Sequence, residues 1–275
     1  MADLRAALQD ALGPVYRVQR EVRPVGDCRL FVAVELPAGP DLLVKVLPGP
    51  LSLALDSGVF ERELILLADQ LRHPNIVTPR GAGRAGSFAY HTRRFVEGTT
   101  LRAWLVRQGE LPLRQTVAIL QDVLAALAHL HAVNVAHGDL KPENVLLTDG
   151  EALVADAGIV GAVERSLPHS ALGTASAGLC AATYIAPERR DGGGLTGPRD
   201  DMFAVGVLAH EMLTGRPPTA ESESLEEVRS LPAWLRELVR RCLVAEPAGR
   251  WPDATAALGY VNLPNRGVGG SGGLV

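Results

Sequence analysis

The stretch from Val135 to Gly158, "VAHGDLKPENVLLTDGEALVADAG", decides the fold of this chain. Its two apolar runs, NVLLT and EALVAD, flank Asp149-Gly150, a dipeptide that favours a type I′ hairpin turn. Folding the ribbon about that turn places Asn144 opposite the residue before Asp156. We therefore expect an amide oxygen and a carboxylate to meet at the open end of a buried hairpin.

The polar residues around this hairpin have the composition of a metal and phosphate site. A few hard oxygen ligands suit Mg²⁺, which keeps several waters and takes its remaining ligands from phosphates. Asp139 precedes Asn144 by five residues, in a loop held by Pro142, and Lys141 can balance charge near a transferred phosphoryl group. A solvated loop whose polar residues merely cap the hairpin is the alternative, and this order of residues disfavours it.

The composition of the whole chain sets outer bounds on its function. Its 275 residues, 47% hydrophobic, suffice for one large domain or two lobes that share a cleft. The net charge of −4 provides no basic surface, so nucleic acid is not an expected partner. The three cysteines, Cys28, Cys180 and Cys242, are widely spaced and predict free thiols in a reducing compartment.

No sequence feature indicates a membrane segment. The N-terminus has no signal-peptide core, and no apolar run approaches the roughly 20 residues that a membrane-spanning helix needs. We therefore expect a cytoplasmic protein.

The first 97 residues predict a β-rich lobe with one helix. Short strand-like runs between residues 16 and 47, separated by Gly, Pro and Asp clusters, indicate an antiparallel meander. A helix is predicted over Gly58–Arg72, and two more strands are predicted between residues 75 and 98. The apolar residues of this helix recur at helical spacing: Phe60, Leu64, Leu67 and Leu71.

Residues 98–262 predict a larger, mainly helical lobe. Helices are expected over residues 113–133, 199–214, 231–244 and 252–260. Residues 159–183 are rich in Gly, Ala and Ser and are predicted to form a mobile loop. The Gly-rich residues 263–275 are predicted to form a flexible tail. The predicted fold class is α+β and bilobal, with a small antiparallel β-sheet lobe, a helical lobe and a cleft between them.

The segment "HGDLKPEN" at residues 137–144, with "DAG" at residues 156–158, resembles the catalytic loop and DFG segment of eukaryotic-type protein kinases. The sequence of these segments is most similar to that of bacterial serine/threonine kinases. This resemblance implies transfer of the ATP γ-phosphoryl group to Ser or Thr hydroxyls of proteins, with Mg²⁺ or alternatively Mn²⁺. It also implies roles for four residues: Asp139 as catalytic base, Lys141 as a second catalytic residue, and Asn144 and Asp156 as metal ligands.

The resemblance extends over about residues 16–260 and implies a nucleotide site. Lys45, in "LLVKVL" on the third strand, is implied to contact the ATP phosphates, with Glu63 as its partner. Gly26 belongs to the loop that would cover the phosphates. "RRFVEGTTL" resembles the hinge between the lobes, where the backbone around Phe95 and Val96 would bind adenine.

The helical lobe carries further family marks. "YIAPE", ending at Glu188, resembles the end of the activation segment, and Arg250 is implied to pair with this glutamate. Asp201 is expected to hold the backbone of the catalytic loop.

Several positions depart from the family pattern. The phosphate-covering loop keeps Gly26 alone where the family has three glycines. Arg93 falls near a position that is normally apolar, and Gly138 replaces an arginine. The other departures are Leu43, Ala157 and Ala181. The base, the metal ligands and the phosphate lysine remain, so we expect altered regulation and substrate docking.

Two further readings stay open. A pseudokinase, sensing nucleotide or acting as a scaffold, is motivated by the missing glycines and by Ala181. A small-molecule kinase of the aminoglycoside or choline type is motivated by "HGD", but Lys141, Pro142 and Arg250 argue against it. The sequence leaves the oligomeric state open.

Overall fold

The computed structural model of the chain describes residues 4–168, 179–190, 195–219, 225 and 231–263. The predicted tail therefore lies outside the described residues apart from its first residue, Leu263, and so does part of the predicted loop over residues 159–183.

The amino-terminal part is built on an antiparallel sheet. Its strands follow the order β1-β2-β3-β6-β5, so the first three form the meander predicted from the sequence. The strands are β1 (Tyr16–Val25), β2 (Cys28–Glu35), β3 (Asp41–Val46), β5 (Pro79–Ala85) and β6 (Phe88–Arg94).

The two faces of this sheet contact different groups of apolar residues. Alternate residues of β2 point to opposite faces, so Phe31 and Ala33 join a core cluster with Leu4 and Leu8 of helix α1 (Leu4–Leu12). The neighbouring residue Val32 belongs to a separate apolar cluster on the other face. This division leaves one face of the sheet for the cleft. Helix α1 is an addition to the sequence prediction.

Two helices follow β3, namely α2 (Gly49–Ala54) and α3 (Ser57–Gln70). The side chain of Asp56 caps α3 by accepting a hydrogen bond from the Val59 amide at 3.0 Å, a contact that satisfies one of the free amides at a helix start. Phe60, Leu64 and Leu67 are buried on one side of α3, as their spacing predicted.

A second sheet contains the hairpin of the opening stretch. Its order is β4-β9-β8-β7, with β4 (Ile76–Val77), β7 (Thr99–Thr100), β8 (Val145–Leu147) and β9 (Ala152–Ala155). Val145 pairs with Val154, which confirms the predicted register. The predicted type I′ turn is wrong, because that turn needs a positive φ at both central residues. Gly150 has a φ of 97°, whereas Asp149 is not in the left-handed region.

The carboxyl-terminal lobe is helical. The predicted helices correspond to α5, α8, α9 and α10, with ends shifted by one or two residues. The helices are α4 (Leu101–Gln108), α5 (Leu113–Ala132), α6 (Ile159–Ser166), α7 (Pro187–Arg190), α8 (Pro198–Thr214), α9 (Ala233–Cys242) and α10 (Ala254–Val261). Helices α5 and α8 contribute many of the buried residues of the main core.

Helix α6 corrects the predicted loop over residues 159–183. It contains a glycine, Gly161, and β-branched residues, which weaken a helical prediction. Its burial explains why it forms: Ile159, Val160 and Val163 are buried, and the helix packs against α3. Tertiary packing therefore outweighs local propensity here.

Arg250 ties α7 to the segment between α9 and α10. Its Nη1 and Nη2 each lie 2.7 Å from one carboxylate oxygen of Glu188, which confirms the predicted pair. The guanidinium also donates to the carbonyl oxygens of Val244 and Ala245, both at 2.7 Å. Arg250 is 1% exposed, so its guanidinium is shielded from water, whereas the Glu188 carboxylate is only partly buried.

We expect Arg250→Leu to lower the free energy of unfolding by about 3 kcal/mol, because it leaves a partly buried carboxylate and buried carbonyls unpaired. Urea denaturation would measure this loss. Arg240→Leu is the matched control, since Arg240 pairs with Glu237 on the exposed surface of α9, and we expect it to change stability little. An equal effect of both substitutions would contradict the structural role of Arg250.

Candidate active site

The candidate site lies where the two lobes meet. Lys45, on β3, donates through Nζ to Oδ2 of Asp156, which follows β9, at 2.8 Å. The two side chains are 7% and 6% exposed, so one buried ion pair joins the sheets of both lobes.

Asp156 is held in an unusual backbone conformation. Its φ of 62° lies in the left-handed region, which is uncommon for residues other than glycine and concentrates at functional sites. Its second oxygen, Oδ1, accepts a hydrogen bond from Arg93 Nε at 3.1 Å. Both carboxylate oxygens therefore contact a cation.

The charges of this group are mutually stabilised. Burial acts to raise the pKa of Asp156, but Lys45 and Arg93 outweigh it and hold that pKa well below its usual range. Burial acts to lower the pKa of Lys45, yet Asp156 keeps it above its usual value. The group is therefore an ionised carboxylate between two cations.

The catalytic loop gathers the residues that the sequence singled out. Lys141 Nζ lies 2.7 Å from Oδ2 of Asp139. Asn144 donates through Nδ2 to the same oxygen at 3.0 Å and to the Asp139 carbonyl at 2.8 Å. All three residues are buried, so Asp139 is fixed in one orientation by two neighbours.

Asp201, on α8, supports this loop from behind. Its carboxylate accepts from the backbone amides of His137 at 2.7 Å and Gly138 at 2.9 Å, as expected from the sequence. The His137 ring contacts the Ala155 carbonyl through Nε2 and the Asp139 amide through Nδ1. Burial lowers the pKa of His137, so the neutral ring links the catalytic loop to β9 rather than serving as a base.

The donor set near Asn144 and Asp156 fits a metal that shares its shell with phosphate. The amide nitrogen of Asn144 is engaged with Asp139, which orients the amide oxygen away from that carboxylate. Among the described residues, no group of three or more His, Cys, Asp or Glu side chains could hold a metal ion unaided. One carboxylate and one amide oxygen suit Mg²⁺ completed by phosphates and water.

Glu63 does not contact Lys45, in contrast to the sequence prediction. Its Oε2 accepts from Arg165 Nε, on α6, at 2.7 Å, while Lys45 pairs with Asp156. The difference arises because α6 packs on α3 and presents a cation to its glutamate, a contact that the predicted loop did not include.

The predicted hinge residues bridge two apolar clusters. Phe95 packs against Leu30, Val32 and Leu43 on the amino-terminal sheet. Because Leu30 pairs with Lys45 across β2 and β3, this cluster lies on the same face of the sheet as Lys45.

Val96 packs against a second cluster, Val77, Leu146, Leu153 and Ala155, on the smaller sheet. The Phe95 amide donates to the Asp41 carbonyl at 2.9 Å. The Val96 amide is therefore the candidate donor to the adenine ring of a nucleotide. Gly26 occupies the two-residue turn between β1 and β2 with a φ of 55°.

The residues shortly before YIAPE cover the catalytic loop. Lys141 Nζ donates to the Leu179 carbonyl at 2.9 Å, and Cys180 Sγ contacts the Gly138 carbonyl at 3.3 Å. Gly138 has a φ of 81°, and a Cβ there would lie 2.9 Å from Cβ of Val160 on α6. Glycine at this position therefore permits the close packing of α6.

Sequence reasoning missed two functional contacts. Arg93 is a charged residue at a normally apolar position, but the sequence does not predict its contact with Asp156. The sequence predicts a loop around Arg165 and therefore gives no indication of its contact with Glu63.

A β-rich lobe and a helical lobe, joined at a cleft by Lys45 and Asp156 beside the Asp139 loop, define the protein kinase class. Comparison with known protein families agrees with this assignment. The protein kinase domain family matches residues 55–258, and the chain belongs to this family.

Curated relatives are bacterial serine/threonine kinases. The chain is 34% identical over 204 residues to the serine/threonine-protein kinase PknL of Mycobacterium tuberculosis, covering 68% of this chain and 50% of the relative. It is 30% identical to PknA of the same species over 91% of this chain and 63% of the relative. It is 27% identical to PrkC of Bacillus subtilis, over 87% of this chain and 39% of the relative. The chain thus spans about half the length of the curated relatives it matches.

Solved structures share the bilobal α+β fold, which confirms the predicted fold class. The kinase domain of PknI from Mycobacterium tuberculosis aligns with a TM-score of 0.70 at 24% identity, covering 90% of this chain and 95% of that chain. Rad53 residues 1–466 in complex with AMP-PNP align with a TM-score of 0.71 at 21% identity, covering 93% of this chain and 67% of that chain. Within the described part of the chain, no helix is long and apolar enough to cross a bilayer.

Proposed function

We propose that this domain transfers the γ-phosphoryl group of ATP to Ser or Thr hydroxyls of protein substrates. The observation that carries the proposal is the buried group of Asp139, Lys141 and Asn144, joined through the hairpin to the Lys45–Asp156 pair. These residues supply a base, a phosphate cation and metal ligands within one cleft.

Each of these side chains has a definite task in the proposed reaction. Asp139 orients the substrate hydroxyl and accepts its proton, while Lys141, already 2.7 Å from Asp139, balances the charge of the transferred group. Asn144 and Asp156 would hold Mg²⁺, with Mn²⁺ as the alternative, and the bound metal neutralises phosphate charge. Catalysis is then mostly positioning and electrostatic stabilisation.

The adenine would lie between the two apolar clusters that Phe95 and Val96 contact. Lys45 would exchange Asp156 for the ATP phosphates, and Gly26 would lie in the turn above them. Glu63 would then leave Arg165 and approach Lys45. The conformation described here is thus proposed to be a resting state that nucleotide and substrate must open.

We expect Arg165→Ala to raise the initial rate of phosphate transfer about two- to fivefold at low ATP, because it frees Glu63 from an exposed ion pair of modest strength. Initial rates with labelled ATP would measure the effect. Arg72→Ala, which removes a more exposed arginine–carboxylate pair with Asp69, should leave the rate unchanged. A slower Arg165→Ala enzyme would show that this pair belongs to the active conformation.

The direct test of the proposed function is transfer of labelled phosphate from ATP, with Mg²⁺ and with Mn²⁺, to generic protein substrates and to aminoglycosides or choline. Transfer to Ser or Thr of protein supports the proposal. Transfer to the small molecules alone would assign the domain to that other class of kinase. Nucleotide binding without any transfer would identify a pseudokinase.

A further inference from the structure

We infer that Arg93 competes with the metal ion for Asp156 and so sets the Mg²⁺ concentration at which the domain loads nucleotide. This inference rests on the proposed function, since it concerns the same nucleotide and metal site. It assigns Arg93 the role of a positioning residue, acting on the reaction through Asp156.

The position of Arg93 brings its charge into the nucleotide cleft. It lies near the end of β6, directly opposite Leu43 of β3, and two residues before Phe95. Its Nε reaches Oδ1 of Asp156 at 3.1 Å, and its side chain is 11% exposed. The guanidinium therefore spans from the strand that leads into the hinge to the metal-site carboxylate.

The neighbouring groups leave a surplus of positive charge here. Asp156 contacts two cations, Lys45 and Arg93. His91 pairs with Lys45 across β3 and β6 and is 1% exposed. Burial lowers its pKa to about 4, so it adds no charge at neutral pH. The site thus holds one carboxylate between two permanent cations.

A divalent ion that enters this site meets two obstacles. It must take at least one oxygen of Asp156 from a hydrogen-bonded cation, and it must then stay close to a guanidinium that is always charged. Lys45 can transfer its contact to the incoming phosphates, which are anionic. The repulsion between Arg93 and the metal decreases only if Arg93 moves away, so Arg93 is the residue that opposes metal entry.

The adjacent residue supplies a matched control. Arg94 carries the same charge one position further along β6 and is exposed, and because successive residues of a strand point to opposite faces, it lies on the face away from Arg93. Removing either arginine changes the net charge equally. Only the loss of Arg93 removes a cation from Asp156.

The experiment titrates MgCl₂ into the metal-depleted full chain with a fixed concentration of the fluorescent nucleotide mant-ATP and records binding, not turnover. We expect Arg93→Met to lower the half-saturating Mg²⁺ concentration about tenfold, since a unit charge next to the metal is removed in a partly screened site. Arg94→Met should match the wild type, and Arg93→Lys should stay close to it.

Several results would decide the matter. A half-saturating Mg²⁺ concentration that is equal or higher in Arg93→Met overturns the inference while leaving nucleotide binding intact. Absence of mant-ATP binding by every variant at every Mg²⁺ concentration overturns the proposed nucleotide use as well. Binding by Arg93→Met where the wild type binds none supports the inference. Thermal melting checks folding, and Arg93→Gln replaces Arg93→Met if the latter is unfolded.

Discussion

Asp156→Asn is expected to abolish Mg²⁺-dependent nucleotide binding and phosphate transfer and, at the same time, to destabilise the free protein. The first effect follows because the substitution removes the carboxylate of the proposed metal pair, leaving amide oxygens that bind Mg²⁺ weakly. The second follows from the cations around it. Lys45 and Arg93 both contact this carboxylate in the buried cleft, and neither can leave for water without rearrangement.

The expected loss of stability is about 3–5 kcal/mol, the usual cost of removing one partner from a buried ion pair. Urea denaturation of the nucleotide-free protein would measure it. Asp149→Asn is the matched control, since it makes the same chemical change at an exposed turn residue. A variant as stable as the wild type would show that Lys45 and Arg93 find other partners, and would weaken the role assigned to this ion pair.

Acid denaturation checks the same prediction independently. Lys45 and Arg93 hold the pKa of Asp156 below its usual range against the opposing effect of burial, so the unfolded chain binds a proton more readily at this residue. Asp156 therefore stabilises the fold fully above the pKa of an unfolded-state aspartate, about 4. This contribution is lost as the pH falls below that value. Asp156→Asn should flatten that part of the stability profile.

The parts of the site that the sequence predicted are those determined by short-range geometry. Asp139, Lys141 and Asn144 lie within six residues, so a single loop brings them together. Asn144 and Asp156 are separated by a short hairpin whose register follows from its apolar runs. The pairing of Arg250 with Glu188 came from the family resemblance, since nothing in the spacing of 62 residues requires it.

The parts that escaped prediction depend on tertiary packing. Glu63 and Arg165 are 102 residues apart, and their contact requires α6, a helix stabilised mainly by burial against α3. Arg93 lies on β6 of the larger sheet and Asp156 follows β9 of the smaller one, so their contact depends on how the lobes meet. A pattern read along one chain segment contains no information about such distances.

Asp139→Asn is expected to reduce the rate of phosphate transfer about a thousandfold while leaving nucleotide binding nearly unchanged. A positioned general base contributes about 10²- to 10⁴-fold to a rate, and an asparagine cannot accept the hydroxyl proton. Lys141 and Asn144 both contact Oδ2 of Asp139, and the amide oxygen of asparagine can replace that oxygen, so the loop should keep its shape. Single-turnover transfer and mant-ATP titration would measure the two properties separately.

Comparing Asp139→Asn with Asp156→Asn distinguishes the role of a catalytic base from that of a metal ligand. Asp139→Asn should bind nucleotide at the wild-type Mg²⁺ concentration and fail in chemistry, whereas Asp156→Asn should fail at metal binding. Asp149→Asn should behave as the wild type in both assays. If Asp139→Asn retained most of the transfer rate, Asp139 would only orient the substrate hydroxyl, and the proton would have to leave with the transferred phosphoryl group. If instead nucleotide binding were lost together with transfer, Asp139 would contribute to the metal site, and the division of roles between the catalytic loop and β9 would be wrong.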